Sequence, residues 1–353
     1  MKCVRFERQE RYIRDFIRLP GQLYKAGENM ENPNEVKKLL LGIHPLSKYF
    51  SLQKFLIYDG DRAVGRFVIT VYPEDDTAYI GFFECVNDSA TAEFLFRMAK
   101  DYAVSLGCKR VTGPVNASFW IGYRLKINLF ERKPYTGEPY NKDYYLRLFQ
   151  ENGFQVCQHY TSNSYDKVDA LETLYDDRYL EFLKKGYRII SPSIREYDKV
   201  VGELYRLITD LYSDFPVYKD LSFEDFARVF SDYRHIINMS MVKMAYYEGR
   251  AVGFFVSVPD YGNAVYHLRS LPNLVKLFTT KRRPRRYVML YMGVDREHRG
   301  LGKALAGSII EELKKSGLPS IGALARDGKP TQKYGESHIE MQYEYVLLEK
   351  ALQ

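Results

Sequence analysis

The sequence predicts an α/β (α+β) protein of two domains, and three observations carry that prediction. At 353 residues the chain exceeds what one hydrophobic core comfortably organises. Both halves spell out a hairpin, a third apolar strand, an amphipathic helix and a further strand. The segments YDGDRAVGRFVITVYP (58–73) and YEGRAVGFFVSVPD (247–260) share an aromatic residue, an acidic turn, Arg-Ala-Val-Gly and an alternating apolar strand. Matching element order around that pair points to duplication. The charged stretch between Asp176 and Arg195 places the boundary, giving domains 1–185 and 186–353.

In the first half, 53–58 and 63–72 read as strands joined at Asp59-Gly60-Asp61, since Asp-Gly between apolar runs is a hairpin signal. Residues 78–86 form a third strand. Asn87-Asp88-Ser89 supplies N-cap candidates for a helix over Ala90 to Leu106, with Gly107 as its stop. A strand at 109–115, a short helix from Lys142 to Asn152 and a strand from Phe154 to Tyr160 complete this half.

The second half opens with helices over Glu196–Tyr212 and Phe223–Phe230. Strands follow at 239–247 and 251–258 around the Glu248-Gly249-Arg250 turn, then at 287–294. A helix over Gly302–Lys315 ends at Gly317. A strand at 320–325, a helical turn at Gln332–Glu336 and a last strand from Tyr343 to Leu348 follow.

Composition narrows the function classes. Tyr contributes 31 residues, which suits half-buried strands better than a dedicated aromatic surface. The net charge of +7 fits an anionic ligand without selecting one. The four cysteines, Cys3, Cys85, Cys108 and Cys157, form no CxxC pair, so no metal site is expected; three stand in contexts that predict buried thiols. The charged amino terminus is no signal peptide and no apolar run spans a bilayer, so a soluble cytoplasmic protein, monomer or homodimer, is expected.

The most specific feature is VMLYMGVDREHRGLGKA at 288–304, where a buried strand runs into a Gly- and Arg-containing turn that opens a helix. The first N–H groups of a helix lack intrahelical partners, and the helix dipole leaves positive charge there. A pyrophosphate meets both needs. Gly300 and Gly302 are expected to let a ligand approach the main chain, with Arg299 and Lys303 adding charge and Leu301 and Ala304 completing the turn.

This segment resembles the coenzyme A signature of the GNAT acyltransferases, Gln/Arg-x-x-Gly-x-Gly/Ala, at Arg299, Gly302 and Ala304. GPVNAS (113–118), PYNKDYYLRLFQENGF (139–154) and VPDYGNAV (258–265) extend the likeness to tandem-domain bacterial acyl-CoA N-acyltransferases. The resemblance implies two GNAT-like domains, each a mixed, mostly antiparallel central sheet flanked by helices. It implies acetyl-CoA or another acyl-CoA as donor, held along the main chain of Met292, Gly293 and Val294, with the thioester near Tyr291 and Met292. It implies direct transfer to a small-molecule or peptide amine. The matching general acid is Tyr334, although Asp327-Gly328 stands where the family often has Asn, and Tyr291 is a candidate acceptor contact.

The first half lacks the cradle: ECVNDSA (84–90) has no Gly-x-Gly, and Glu84 and Asp88 flank the helix start. A carboxylate there competes with phosphate, so this half is expected to support the other or build the acceptor side. Asp295, Glu297 and His298 are expected to shape the cradle loop or face solvent, and His267 to be structural. Lys281, Arg282, Arg283, Arg285 and Arg286 follow the apolar segment Leu271–Phe278; a solvated loop, a site for an anionic acceptor or the coenzyme's 3′-phosphate, RNA, a lid or an acyl tunnel remain open. Nucleic acid is not expected, although an aminoacyl-tRNA-dependent transferase and a non-catalytic acyl-CoA-binding protein are the alternatives to an enzyme acting on acyl-CoA.

Overall fold

The computed structural model describes residues 1–73 and 75–352. The chain forms two compact units. The first comprises Met1–Pro134, Glu138–His159 and the segment from Glu344 onward; the second comprises Tyr135–Gly137 and Tyr160–Tyr343. Residues 160–185 therefore pack with the second unit, and the carboxy-terminal segment with the first. A single cut at 185/186 does not describe this division. Contacts distant in sequence decided it.

In the first unit, β1 (Lys2–Phe6), β2 (Ser51–Asp59), β3 (Arg62–Val71) and β4 (Thr77–Cys85) form antiparallel neighbours in that order. β5 (Arg110–Gly113) pairs parallel to β4, but only over 110–112. β6 (Leu125–Lys126) is a short strand, and β7 (Gln155–Tyr165) leads into the second unit. The helix Ser89–Ser105 covers the sheet with Leu95, Phe96 and Ala99, packing beside Phe83, Phe149 and Phe154. Asp88 caps it: its carboxylate accepts from the Thr91 N–H at 2.7 Å. Gly107, with φ +76°, follows its end as the sequence predicts.

In the second unit, β8 (Arg188–Ile190), β9 (Val242–Tyr247), β10 (Arg250–Pro259) and β11 (Tyr287–Val294) are antiparallel neighbours. β12 (Ser320–Arg326) runs parallel to β11 over 320–322 and antiparallel to the later residues of β7. β13 (Ile339–Ala351) starts in this unit; from Glu344 it belongs to the first, where it pairs antiparallel to β5 and β6. The helix Leu301–Ser316 buries Leu301, Ala304, Leu305 and Ile309 against Phe255, Val252 and Met241. Helices Tyr197–Leu211 and Phe223–Phe230 also belong to this unit. The expected strand over 239–247 begins only at Val242, because 239–241 form a tight 3₁₀ turn capped by Asn238.

The shared Arg-Ala-Val-Gly has a geometric meaning. In β3, Ala63 faces Tyr58 and Gly65 faces Ile57, leaving Val64 as a bulge. In β10, Ala251 faces Tyr246 and Gly253 faces Ala245, leaving Val252 as a bulge. A Cβ at Gly65 would stand 3.1 Å from Leu95; one at Gly253 would stand 3.1 Å from Leu305. Each glycine lets its helix lean on its own bulged hairpin. The same bulge and the same glycine, each set against a leucine of the covering helix, argue for two copies of one unit.

Cys85 and Cys108 are buried, Cys3 is half-buried and Cys157 is exposed; all are free thiols. Two thiols are buried where the sequence predicts three; Cys157 stands outward because the first residues of β7 alternate outward. No helix among the described residues is long and apolar enough to cross a membrane.

Candidate functional site

Both units part their fourth and fifth strands in the same way. β4 and β5 pair up to Tyr79 and Thr112, and β11 and β12 pair up to Met289 and Gly322. Each of β4 and β11 then carries a bulge against its antiparallel neighbour. The two openings differ in what occupies them.

In the first unit the chain fills the opening. The Val115 N–H donates to the Ile80 carbonyl at 2.8 Å, and the Phe82 N–H donates to Asn116 Oδ1 at 2.7 Å. Gly81 is required there, because a Cβ would overlap the Val115 carbonyl. Every residue of β4 is buried. Asp88 holds the N–H and hydroxyl of Thr91 in the first turn of the following helix. Glu84, expected beside Asp88 at the helix start, lies instead in the core. The Tyr145 hydroxyl donates to it at 2.5 Å and the Arg66 guanidinium stands 3.6 Å away. Burial pushes its pKa up to about 7 against the pull of Arg66.

In the second unit the six residues of β11 from Met289 to Val294 are only half-buried. The Met292 carbonyl accepts from the Tyr212 hydroxyl at 3.1 Å. Gly293 is a packing residue: a Cβ would stand 2.6 Å from the Phe254 ring and 2.7 Å from Leu211. Val294 faces Gly253 across the sheet. The chain then turns through Asp295, whose carboxylate accepts from the Glu297 N–H at 3.3 Å. His298 Nδ1 meets the Tyr187 hydroxyl at 2.7 Å, and its ring packs against Tyr187 and Tyr247. Asp295 and His298 therefore shape the loop, as expected.

Gly300 is the N-cap of the helix Leu301–Ser316 with φ +89°, a left-handed conformation that glycine adopts without penalty. No side chain caps this helix among the described residues; the Leu301 and Lys303 N–H groups donate to the His298 and Gly300 carbonyls at 3.2 Å, whereas in the first unit the Asp88 carboxylate takes the Thr91 N–H. Arg299 and Lys303 are exposed beside it, and Leu301 and Ala304 anchor the first turn in the core. These features fit a phosphate-bearing ligand.

Gly302 has a packing reason. A Cβ there would meet the Tyr334 hydroxyl and stand 3.0 Å from the Met292 methyl. Glycine is needed to admit Tyr334 and Met292. The Tyr334 ring packs at 5.9 Å from Tyr175, and its carbonyl accepts from the Tyr165 hydroxyl at 2.6 Å. The Tyr175 hydroxyl accepts from the Gly335 N–H at 3.1 Å, while the Lys303 ammonium lies over the Tyr175 ring. Burial, with Tyr175 adding to it, pushes the Tyr334 phenol up to about 12. Asp327 accepts from the Gln332 amide at 2.5 Å, closing the loop that leads to Tyr334.

Tyr334 thus joins the cradle through Gly302 and Met292. Tyr291 does not. Adjacent strand residues point to opposite faces, and Tyr291 lies on the face away from the helix Leu301–Ser316. Its ring stands 5.8 Å from Phe230, it hydrogen-bonds Tyr233, and it lines an apolar cavity of about 20 Å³ with Leu204, Ile208, Phe254 and Val256. Sequence reasoning missed Tyr212, Tyr165 and Tyr175. None stands in a local motif, although 31 tyrosines are themselves a signal that polar-tipped rings line strands and clefts. His267 is part of a turn: its N–H donates to the Ala264 carbonyl at 3.3 Å.

Comparison with solved structures decides the fold. A tandem GNAT protein from the clavulanic acid biosynthesis pathway covers 100% of this chain and 98% of its own, with a TM-score of 0.55 at 13% identity. The chain has a tandem GNAT fold. A GCN5-related N-acetyltransferase from Sphaerobacter thermophilus shares it at a TM-score of 0.50, 12% identity and coverage of 99% and 96%. In sequence, Protein YghO of Escherichia coli (strain K12) is 18% identical over 264 residues, 72% of this chain and 68% of its own. No family model matches the chain. Within the tandem GNAT fold, the half-open β11 and the helix without a side-chain cap stand in the second unit, while the same strand in the first unit is buried.

Proposed function

We propose that the chain is an acyl-CoA-dependent N-acyltransferase with one donor site, in its second unit. The observation that carries this reading is the contrast between the two copies. β11 is half-open and leads to a helix start without a side-chain cap; β4 is sealed by residues 115–116 and leads to a helix capped by Asp88. An acyl-CoA supplies an activated thioester. Main-chain groups of Met292, Gly293 and Val294 would hold its pantetheine arm, and residues 299–304 its phosphates.

In the transfer, the amine nitrogen attacks the thioester carbonyl carbon. The C–N bond forms, the C–S bond breaks, and the ammonium proton leaves to water or a base. Tyr334 would donate its phenolic proton to the departing sulfur. Its raised pKa keeps that proton in place at neutral pH.

The test is thermal unfolding with acetyl-CoA and with longer acyl-CoAs, together with thiol release across a panel of amines. Stabilisation by one acyl-CoA, lost in Gly302→Glu, and thiol release with at least one amine are expected. No shift with any acyl-CoA would sink the reading. Stabilisation without thiol release would make the chain an acyl-CoA-binding protein, and retained tRNA would favour an aminoacyl-tRNA-dependent transferase.

A further inference from the structure

The basic insertion is absent from the donor site and has a form of its own. Residues Leu271–Arg282 are a helix that buries none of its residues. Its Leu271, Leu274, Val275 and Phe278 are 72%, 45%, 56% and 59% exposed. Their spacing, i, i+3, i+4 and i+7, puts all four on one stripe. Leu268, 44% exposed, precedes the stripe. The helix leans on the turn Gly262–Tyr266. An aliphatic stripe held in water is costly, and contiguous exposed apolar surface marks an interaction site.

The charge along this segment has one sign. Between Asp260 and Asp295 the sequence contains no acidic residue. Arg269, Lys276, Arg282, Arg283 and Arg285 are all exposed. Arg286 is committed to Asp260 at 3.0 Å and Lys281 to the His235 carbonyl at 2.6 Å, so both ends of the basic run are tied to the unit. The Arg282 guanidinium lies 4.7 Å from the Phe278 ring centroid, which places charge at the edge of the apolar stripe.

We propose that this helix docks the protein on an anionic lipid surface. The apolar stripe enters the headgroup boundary and the flanking arginines and lysine meet lipid phosphates. The chemistry favours a bilayer over nucleic acid. Three of the four stripe residues are aliphatic, and nucleic acid offers no aliphatic phase and stacks on aromatic rings. It favours a bilayer over a protein groove because the charged residues of 261–294 are all cations, which matches a uniformly negative surface. The inference does not depend on acyl transfer.

The test is flotation of the full chain with vesicles of phosphatidylcholine, with and without phosphatidylglycerol. Binding only to the anionic vesicles, weakened by salt, is expected. Leu274→Ser with Phe278→Ser should abolish it. Arg282→Glu with Arg283→Glu and Arg285→Glu should lower partition by at least about 100-fold, at about fivefold per cation. Both variants should keep the parent's thermal midpoint. Hydrogen exchange of the unmodified chain supplies a readout that needs no variant: residues 271–282 should gain protection on anionic vesicles. No flotation on either vesicle, no protection of 271–282, or binding that survives loss of the apolar stripe would each overturn the proposal. The last result would assign the cations to a soluble polyanion.

Discussion

A methyl group at position 302 tests the contact that joins Tyr334 to the cradle. Alanine for glycine inside a helix normally stabilises by about 1 kcal/mol. At Gly302 the new Cβ would meet the Tyr334 hydroxyl and stand 3.0 Å from the Met292 methyl. Forcing a methyl into filled space costs about 1–3 kcal/mol. Gly302→Ala should therefore lose up to about 2 kcal/mol, or roughly 2–4 °C of Tm for each kcal/mol in a unit of this size. Tyr334→Phe removes the hydroxyl that the methyl meets. The Met292 methyl that remains ends a flexible side chain and yields at small cost. In the Tyr334→Phe background the same Gly302→Ala change should be neutral or stabilising. The four proteins form a double-mutant cycle, and thermal and urea unfolding should give a coupling energy of about 1–2 kcal/mol. Effects that add within about 0.5 kcal/mol would refute the contact, as would a Gly302→Ala protein stabilised by the full helix gain.

Two further predictions follow from the two helix starts. Asp88→Ala should destabilise the first unit by about 1 kcal/mol, because it removes the carboxylate that accepts from the Thr91 N–H. The Thr91 hydroxyl and N–H hold the Asp88 pKa below the ordinary carboxylate value. Its contribution is present above about pH 3.9 and is lost as pH falls through the lower folded value; urea titrations that show the same acid limb with and without Asp88 would contradict this. At the proposed donor site, the raised pKa keeps the Tyr334 phenol protonated to about pH 12. The rate of thiol release should rise as the amine loses its proton and show no descending limb through about pH 10, the ordinary phenol value. A fall at or below that value, absent in Tyr334→Phe, would count against Tyr334 as the buried acid.

Much of the fold was legible because its signals are local. The strand at 287–294, the helix starting beside Gly302 and the Asp88 cap all follow from hydrophobic period and N-terminal chemistry within a few residues. The repeated Arg-Ala-Val-Gly marked equivalent hairpins, although only the structure showed that the valine is a bulge and the glycine a seat for a helical leucine. The helix Glu10–Arg18 and the helix Asp176–Lys184 went unread. The second carries a left-handed tyrosine, Tyr175, in place of a capping side chain, so the usual start signal is missing.

The helix start after β11 was likewise legible, and the packing reason for Gly302 was not. The sequence by itself determined where a helix would open after a buried strand, which residues would line that opening, and that the first half has acid where the second has glycine. Tertiary structure decided that Gly302 makes room for Tyr334, and that Tyr291 and Met292 serve opposite faces. It also decided that residues 115–116 fill one strand opening while its counterpart stays half-open. Residues 160–185 supply Tyr165 and Tyr175 to the second unit by the same rule. The physical reason is range. Helix starts and strand periods are set by neighbours in sequence, whereas close packing selects contacts between residues over a hundred positions apart, and no local pattern records which cavity a ring will fill.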